Sequence, residues 1–264
     1  MRHAMQSTWF QRTVPWTFGA ALGVALLALG GCASPGTGAT ELSSARIAEI
    51  LASPDRSEAD RTNDQRRKPQ QLLAFTGARP GMVALDLSAG GGYTTELLAR
   101  AAGPTGRVYG QSAPRVSMPP PAQPARAQKP GVGNIVAVVR PFESPVPPEL
   151  ASNGLDLVTL MFNYHDLGHM GVDRAQMNRA VFAALKPGGV YVIADHSGRP
   201  GTGISEAGTL HRIEEAFLRA EVERAGFRWL ASGDFLRNPA DPRDRNTPSP
   251  PQPKDEFVLK FVRP

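Results

Sequence analysis

Apolar positions along this chain fall into two rhythms. Val83-Ala84-Leu85-Asp86-Leu87 is a short apolar run interrupted by one acid, and beyond Gly90-Gly91-Gly92 the residues Leu97, Leu98 and Ala101 recur at helical spacing. This predicts a strand, a tight loop and a helix. Further strands are predicted at 106–111, 134–139, 155–162, 190–196, 227–235 and 256–262, the one at 155–162 apolar enough to be buried on both faces. Helices are predicted at 41–52, where Ser53-Pro54 ends the pattern, at 70–76 after Pro69, at 172–185 and at 206–225. Strands alternating with helices indicate an α/β fold: a doubly wound, mostly parallel seven-stranded sheet with helices on both faces and an antiparallel strand at its C-terminal end.

Three consecutive glycines after a strand let the backbone turn sharply and let a ligand approach without meeting a Cβ. The free N–H groups at the start of the next helix then face whatever sits in the loop. A plain tight turn is the alternative reading. From Asp86 the text is Asp-x-Ser-x-Gly-x-Gly. It resembles the D/E-x-G-x-G-x-G signature of class I S-adenosylmethionine (SAM)-dependent methyltransferases, with Ser88 in place of the first glycine. The nicotinamide fingerprint G-x-G-x-x-G asks for a third glycine where Thr95 stands. A second anchor is Leu185-Lys186-Pro187-Gly188-Gly189-Val190-Tyr191-Val192-Ile193-Ala194-Asp195, which resembles the fifth-strand segment of the same family.

That resemblance implies SAM as cofactor, held by Asp86, Ser88, Gly90 and Gly92. It also implies that Gln111, at the end of the second strand, stands where the family places an acid on the ribose, and that Phe142 lies where the adenine is met. Phe142 either stacks on the base or caps the core. Directly after the fourth strand comes Asn163-Tyr164-His165-Asp166, and ligands of open α/β sheets bind outside the carboxyl ends of the strands. Asn163, His165 and Asp166 are therefore the candidate catalytic residues, with His165 accepting a proton and Asp166 holding the imidazole or acting itself. The alternative is a polar helix cap with His165 on the surface. His196 is a second candidate base or a structural histidine, and His211 reads as a surface or capping residue.

Composition refines this picture only modestly. With 264 residues, 41% hydrophobic and 20% charged, the chain can bury one full α/β core. A net charge of +5 identifies no partner by itself. The first residues stand apart: Arg2 and Arg12 precede an uncharged run, 17–29, that ends in Leu29-Gly30-Gly31-Cys32. This has the layout of a secretory signal and resembles a bacterial lipobox, in which the cysteine is lipidated. Cys32 is the sole cysteine, so it forms no internal disulfide, and no metal ligands are assigned.

The expected organisation is a signal segment at 1–31, a flexible tether at 32–40 and a methyltransferase-like domain at 41–264, with proline-rich loops at 113–131 and 238–254. The charged stretch 55–68 reads as a solvated face that doubles as a candidate lid over the cofactor. The wording Asp-Arg…Arg-Lys-Pro, Asn-Tyr-His-Asp and Leu-Arg-Asn-Pro-Ala-Asp is similar to a group of bacterial exported methyltransferases. The resemblance implies methyl transfer on the periplasmic side of a cell envelope, membrane attachment through Cys32, a small-molecule or envelope-component acceptor, and no nucleic-acid partner. Ser88 and Gln111, two departures at cofactor positions, favour the alternative of a lipid-anchored scaffold that keeps the fold without the reaction.

Overall fold

The strand at Val83–Leu87 (β1) is the axis of the molecule, because both halves of the sheet are built outward from it. The computed structural model describes residues 41–114, 123–246, 249 and 252–264. The signal-like segment, Cys32 and the tether lie outside the described residues, as do 115–122, 247–248 and 250–251 of the proline-rich loops. Before β1 come three helices, Ser44–Ala52 (α1), Glu58–Arg67 (α2) and Pro69–Thr76 (α3). After it follow Tyr93–Ala102 (α4), Arg107–Ser112 (β2), Gln123–Arg126 (α5), Ile135–Val139 (β3), Leu155–Met161 (β4) and Tyr164–His169 (α6). The remainder is Arg174–Ala184 (α7), Leu185–His196 (β5), Ala207–Leu210 (α8), Glu215–Arg224 (α9), Arg228–Gly233 (β6) and Glu256–Val262 (β7). No helix among the described residues is long and apolar enough to cross a membrane.

The strands form one sheet in the order β3-β2-β1-β4-β5-β7-β6. β1 pairs in parallel with β2 on one side and β4 on the other, and β7 runs antiparallel to both β5 and β6. The expected doubly wound architecture is what is found. Strand side chains alternate between faces, so Leu85, Leu87, Tyr191 and Ile193 join α7 and α9 in one apolar cluster. Ala84, Val192 and Ala194 join α1, α3 and α4 in the other. The chain order reverses between β1 and β4. That switch point opens a crevice at the carboxyl ends of these two strands, directly beyond Asp86 and Met161.

Three segments depart from the sequence expectation. The single helix at 206–225 is broken after Leu210: His211 adopts a left-handed conformation (φ 51°), and the backbone of Ile213 pairs with His196 and Gly198 instead of continuing the helix. At the break, the guanidinium of Arg212 is fully buried and reaches both oxygens of Asp241 at 2.8 and 3.1 Å. The loop 238–254 is accordingly not merely exposed, since Asp241 within it is buried, as is Asp255 directly after it. The proline-rich crossover, expected to be irregular, contains the one-turn α5, which returns Arg126 to the molecule.

Candidate functional site

The glycine loop owes its shape to three left-handed residues, Ser88 (φ 58°), Gly90 (φ 52°) and Gly92 (φ 76°), the last of which caps α4. Ser88 carries a Cβ in a region that disfavours one, and two contacts hold it there. Its N–H donates to Gln111 Oε1 at 2.9 Å, and its hydroxyl accepts from Asn163 Nδ2 at 2.6 Å. β1, β2 and the end of β4 are thereby tied together at the loop.

Beside the loop lies a cleft of about 340 Å³, lined by Asp86, Ser88, Gly90, Gly91, Met161, Phe162 and Asn163 below and by Asp60, Asn63 and Arg67 of α2 above. A volume on the order of 300–1,000 Å³ suits a small-molecule ligand. The charged stretch is therefore a roof as well as a solvated face. It is pinned by Arg126, which binds both oxygens of Asp60 and, through Nε, the carbonyl of Gly91 at 2.5 Å. Tyr93 adds a hydroxyl bond to Asp64 at 2.7 Å. Arg67 stacks over the Phe162 ring at 4.0 Å; burial and the neighbouring Arg66 charge pull its pKa down to about 10, so it stays cationic at neutral pH.

Asp86 is buried and accepts hydroxyl bonds from Thr95 (2.6 Å) and Thr159 (2.8 Å). Burial dominates over these bonds and pushes its pKa from 3.8 up to about 6. An acid whose pKa rises on folding is ionised in the unfolded chain first, so it subtracts stability progressively as pH climbs between those two values. At pH 7 the effect amounts to about 3 kcal/mol. Asp86→Asn is expected to stabilise the ligand-free protein at pH 7 by about 2–3 kcal/mol and to flatten the fall in stability across that interval. Urea unfolding at pH 4 and 7 reads this out, and a variant with the wild-type pH slope would reject it.

Two cofactor residues expected from the sequence sit elsewhere. Gln111 is fully buried behind the loop; besides the Ser88 bond, its Nε2 donates to the Arg140 carbonyl at 2.6 Å. It braces the loop and does not face the cleft. The reason is strand alternation, which turns Gln111 inward against the loop backbone. Phe142 is buried in the apolar cluster with Leu85 and Tyr109, so it caps the core.

The Asn-Tyr-His-Asp turn forms a second cluster next to the cleft. Asn163 precedes α6 but points at Ser88, and the helix is capped instead by Asp195 of β5, whose Oδ2 accepts from the His165 N–H at 2.9 Å. Asp195 Oδ1 lies 2.6 Å from His165 Nδ1. His165 is buried, not on the surface. Burial works against its charged form, but the bond to Asp195 and the charges of Asp195 and Asp166 outweigh that and raise its pKa. Its other nitrogen, Nε2, faces Asp166 Oδ1 at 3.1 Å, and the same oxygen is 3.0 Å from Nδ1 of His211. His196 stacks between Phe162 and His165, at 5.5 and 5.4 Å, and burial lowers its pKa despite Glu256 nearby.

Sequence reasoning thus found Asp86, Ser88, Gly90 and Asn163 at the cleft and His165 with Asp166 beside it. It named Arg67 only as part of the candidate lid, and it missed Arg126, Asp195 and the membership of His211. Of these, only Asp195, an acid at a strand's carboxyl end next to the β4 terminus, carried a usable signal.

No protein-family model matches the chain. It is 32% identical over 129 residues to the ubiquinone/menaquinone biosynthesis C-methyltransferase UbiE of Cupriavidus taiwanensis, a match covering 47% of each protein. The chain therefore spans about half the length of the curated relatives it matches. Among solved structures, a SAM dependent methyltransferase from Aquifex aeolicus superposes with a TM-score of 0.57 at 18% identity, over 85% of this chain and 100% of that one. A putative sarcosine dimethylglycine methyltransferase from Galdieria sulphuraria gives 0.55 at 15% identity, over 83% and 98%.

The chain has the class I SAM-dependent methyltransferase fold. Within that fold the cleft occupies the switch point, and α2 closes over it from the N-terminal side.

Proposed function

We propose that the chain is an envelope-anchored enzyme that transfers the methyl group of SAM to a small-molecule or envelope-component acceptor. The observation that carries this reading is the cleft at the β1–β4 switch point. There an acid, the left-handed Ser88 and Gly90 and the start of a helix meet under a cationic roof, with the left-handed Gly92 capping that helix just behind the lining. The curated C-methyltransferase relatives support the reaction class. Anchoring is supported by the uncharged run 17–29 leading into Leu29-Gly30-Gly31-Cys32.

In this reading Gly90 and Gly92 let the cofactor lie against backbone, and Arg67 meets the carboxylate of its methionine part. Asp86 supplies negative charge near the sulfonium, and Asn163 closes the cleft toward the acceptor. The transfer is an in-line displacement: the bond from acceptor to methyl carbon forms as the carbon–sulfur bond breaks, leaving a thioether. The protein's task is alignment together with removal of one proton, which falls to the His165–Asp166 pair.

One observation favours a second reading, a lipid-anchored binding protein of the same fold. The end of β2 carries no acid, and Gln111 is engaged with backbone. The test is calorimetric titration of SAM and S-adenosylhomocysteine into the full chain, followed by incubation with methyl-labelled SAM and an envelope fraction. Saturable binding with transfer of label is the expected result. Binding without transfer, or no saturable binding by the folded chain, overturns the enzyme reading and supports the second.

A further inference from the structure

We infer that His165, Asp166 and His211 form a binding site for one divalent first-row transition ion, with Zn²⁺ the ion best suited to the donor set. The three ligand atoms all lie within 4.8 Å of one another. Asp166 Oδ1 sits 3.1 Å from His165 Nε2 and 3.0 Å from His211 Nδ1. Ligands held at about 2.0–2.2 Å from zinc, at angles between octahedral and tetrahedral, are about 3.0–3.4 Å apart, so Asp166 already stands at ligand spacing from both histidines, and only the two nitrogens, within 4.8 Å of each other, have to adjust around an ion.

The surroundings of the cluster point the same way. Metal-bound histidines characteristically give their other nitrogen to a carboxylate, which fixes the ring and its tautomer. His165 does so through Nδ1 to the fully buried Asp195, and its Nε2 is thereby aimed at Asp166. The two imidazoles cross nearly perpendicular, 88° at 5.6 Å, so that their nitrogens converge on one carboxylate oxygen. With both histidines neutral, Asp166 and Asp195 leave two negative charges, matching a divalent cation; Lys254, which acts on His165 from the β7 side, opposes this in part.

Exposure differs across the cluster. His165 is buried, whereas the side chains of Asp166 and His211 are 32% and 44% exposed. Three protein ligands with one solvent-facing side is the arrangement of a metal centre that keeps a position open. Two residues from Asn163, an ion here would stand on the acceptor side of the proposed cofactor cleft. The site itself does not depend on the methyl-transfer reading, and with an ion bound His165 Nε2 and Asp166 Oδ1 are no longer free to take the acceptor's proton.

The test uses chelator-treated full chain without SAM, titrated with Zn²⁺ by calorimetry and with Co²⁺ by visible absorption. One equivalent of each ion is expected, with Co²⁺ d–d bands of low-symmetry nitrogen and oxygen coordination. His211→Ala, at an exposed position, and Asp166→Asn are each expected to abolish saturable binding while keeping the thermal midpoint. His169→Ala, on the same helix but outside the cluster, is expected to bind as wild type. Asp195→Asn, where it folds, should weaken zinc about 10–100-fold. Wild-type protein without saturable binding, His211→Ala and Asp166→Asn variants that bind undiminished, or binding lost only in Cys32→Ser would each overturn the inference.

Discussion

Gly90→Val is expected to abolish SAM binding, by at least about 100-fold or 2.7 kcal/mol, in a protein that still folds. Gly90 has φ 52°, and a Cβ built on it meets only the Ser88 carbonyl, at 3.9 Å. Space for the first atom therefore exists in the ligand-free molecule. The loss of stability comes mainly from backbone conformation, on the order of 1–2 kcal/mol for a side chain in the left-handed region and somewhat more for a β-branched one. The same side chain takes up volume in a cleft of about 340 Å³. Binding thus falls much further than stability. Calorimetry with SAM alongside thermal unfolding separates the two; wild-type affinity in a folded variant would remove the glycine loop from the site.

Much of this fold was legible because its signals are local. The apolar run into Asp86, the glycines after it and the Leu97–Ala101 spacing define β1, the loop and α4 without reference to any distant residue, and the Lys-Pro-Gly-Gly turn opens β5 in the same way. What could not be read depends on partners far away in sequence. The stretch 206–225 has helical apolar spacing with only Gly208 against it, and its break coincides with the pairing of Arg212 with Asp241 in a proline-rich loop. The charged run at 55–68 reads as a solvated face and candidate lid, but nothing local announces that Arg126 will pair with a buried Asp60. Gln111 belongs to the same class: its amide is claimed by the Ser88 N–H and the Arg140 carbonyl, backbone groups 23 and 29 residues away that no local pattern announces.

The candidate site was legible in the same partial way. Asn163, His165 and Asp166 were identified by their place after an apolar strand, a rule of topology. His211 joins them at the point where the helix ends: it is the left-handed residue directly after Leu210, and its ring lies against His165. The break that the sequence hid thus falls where the cluster is completed.

Glu96→Gln is expected to destabilise the protein by about 3–5 kcal/mol and to loosen the roof of the cleft. Glu96 is 1% exposed. Its Oε1 accepts from Arg100 at 2.8 Å, and its Oε2 accepts from Arg126 at 2.5 Å and Lys129 at 2.9 Å. Arg100 and Arg126 are shared with Asp55 and Asp60, so three cations and three carboxylates balance. An amide keeps the shape but removes one charge, leaving three cations against two acids in a partly desolvated site. Burial opposes the charged form of Glu96, yet Lys129, Arg100 and Arg126 outweigh it and hold its pKa below 4.5. Its stabilising contribution is therefore complete above that value and disappears as pH falls through the lowered folded-state pKa. The variant should lose stability at pH 7 but converge on wild type under acid. Because Arg126 also holds Gly91, amide exchange in α2 and α5 should rise with the substitution. A variant within about 1 kcal/mol of wild type at pH 7, with unchanged exchange, would show that the network is merely a surface arrangement and that α2 is held by its other contacts.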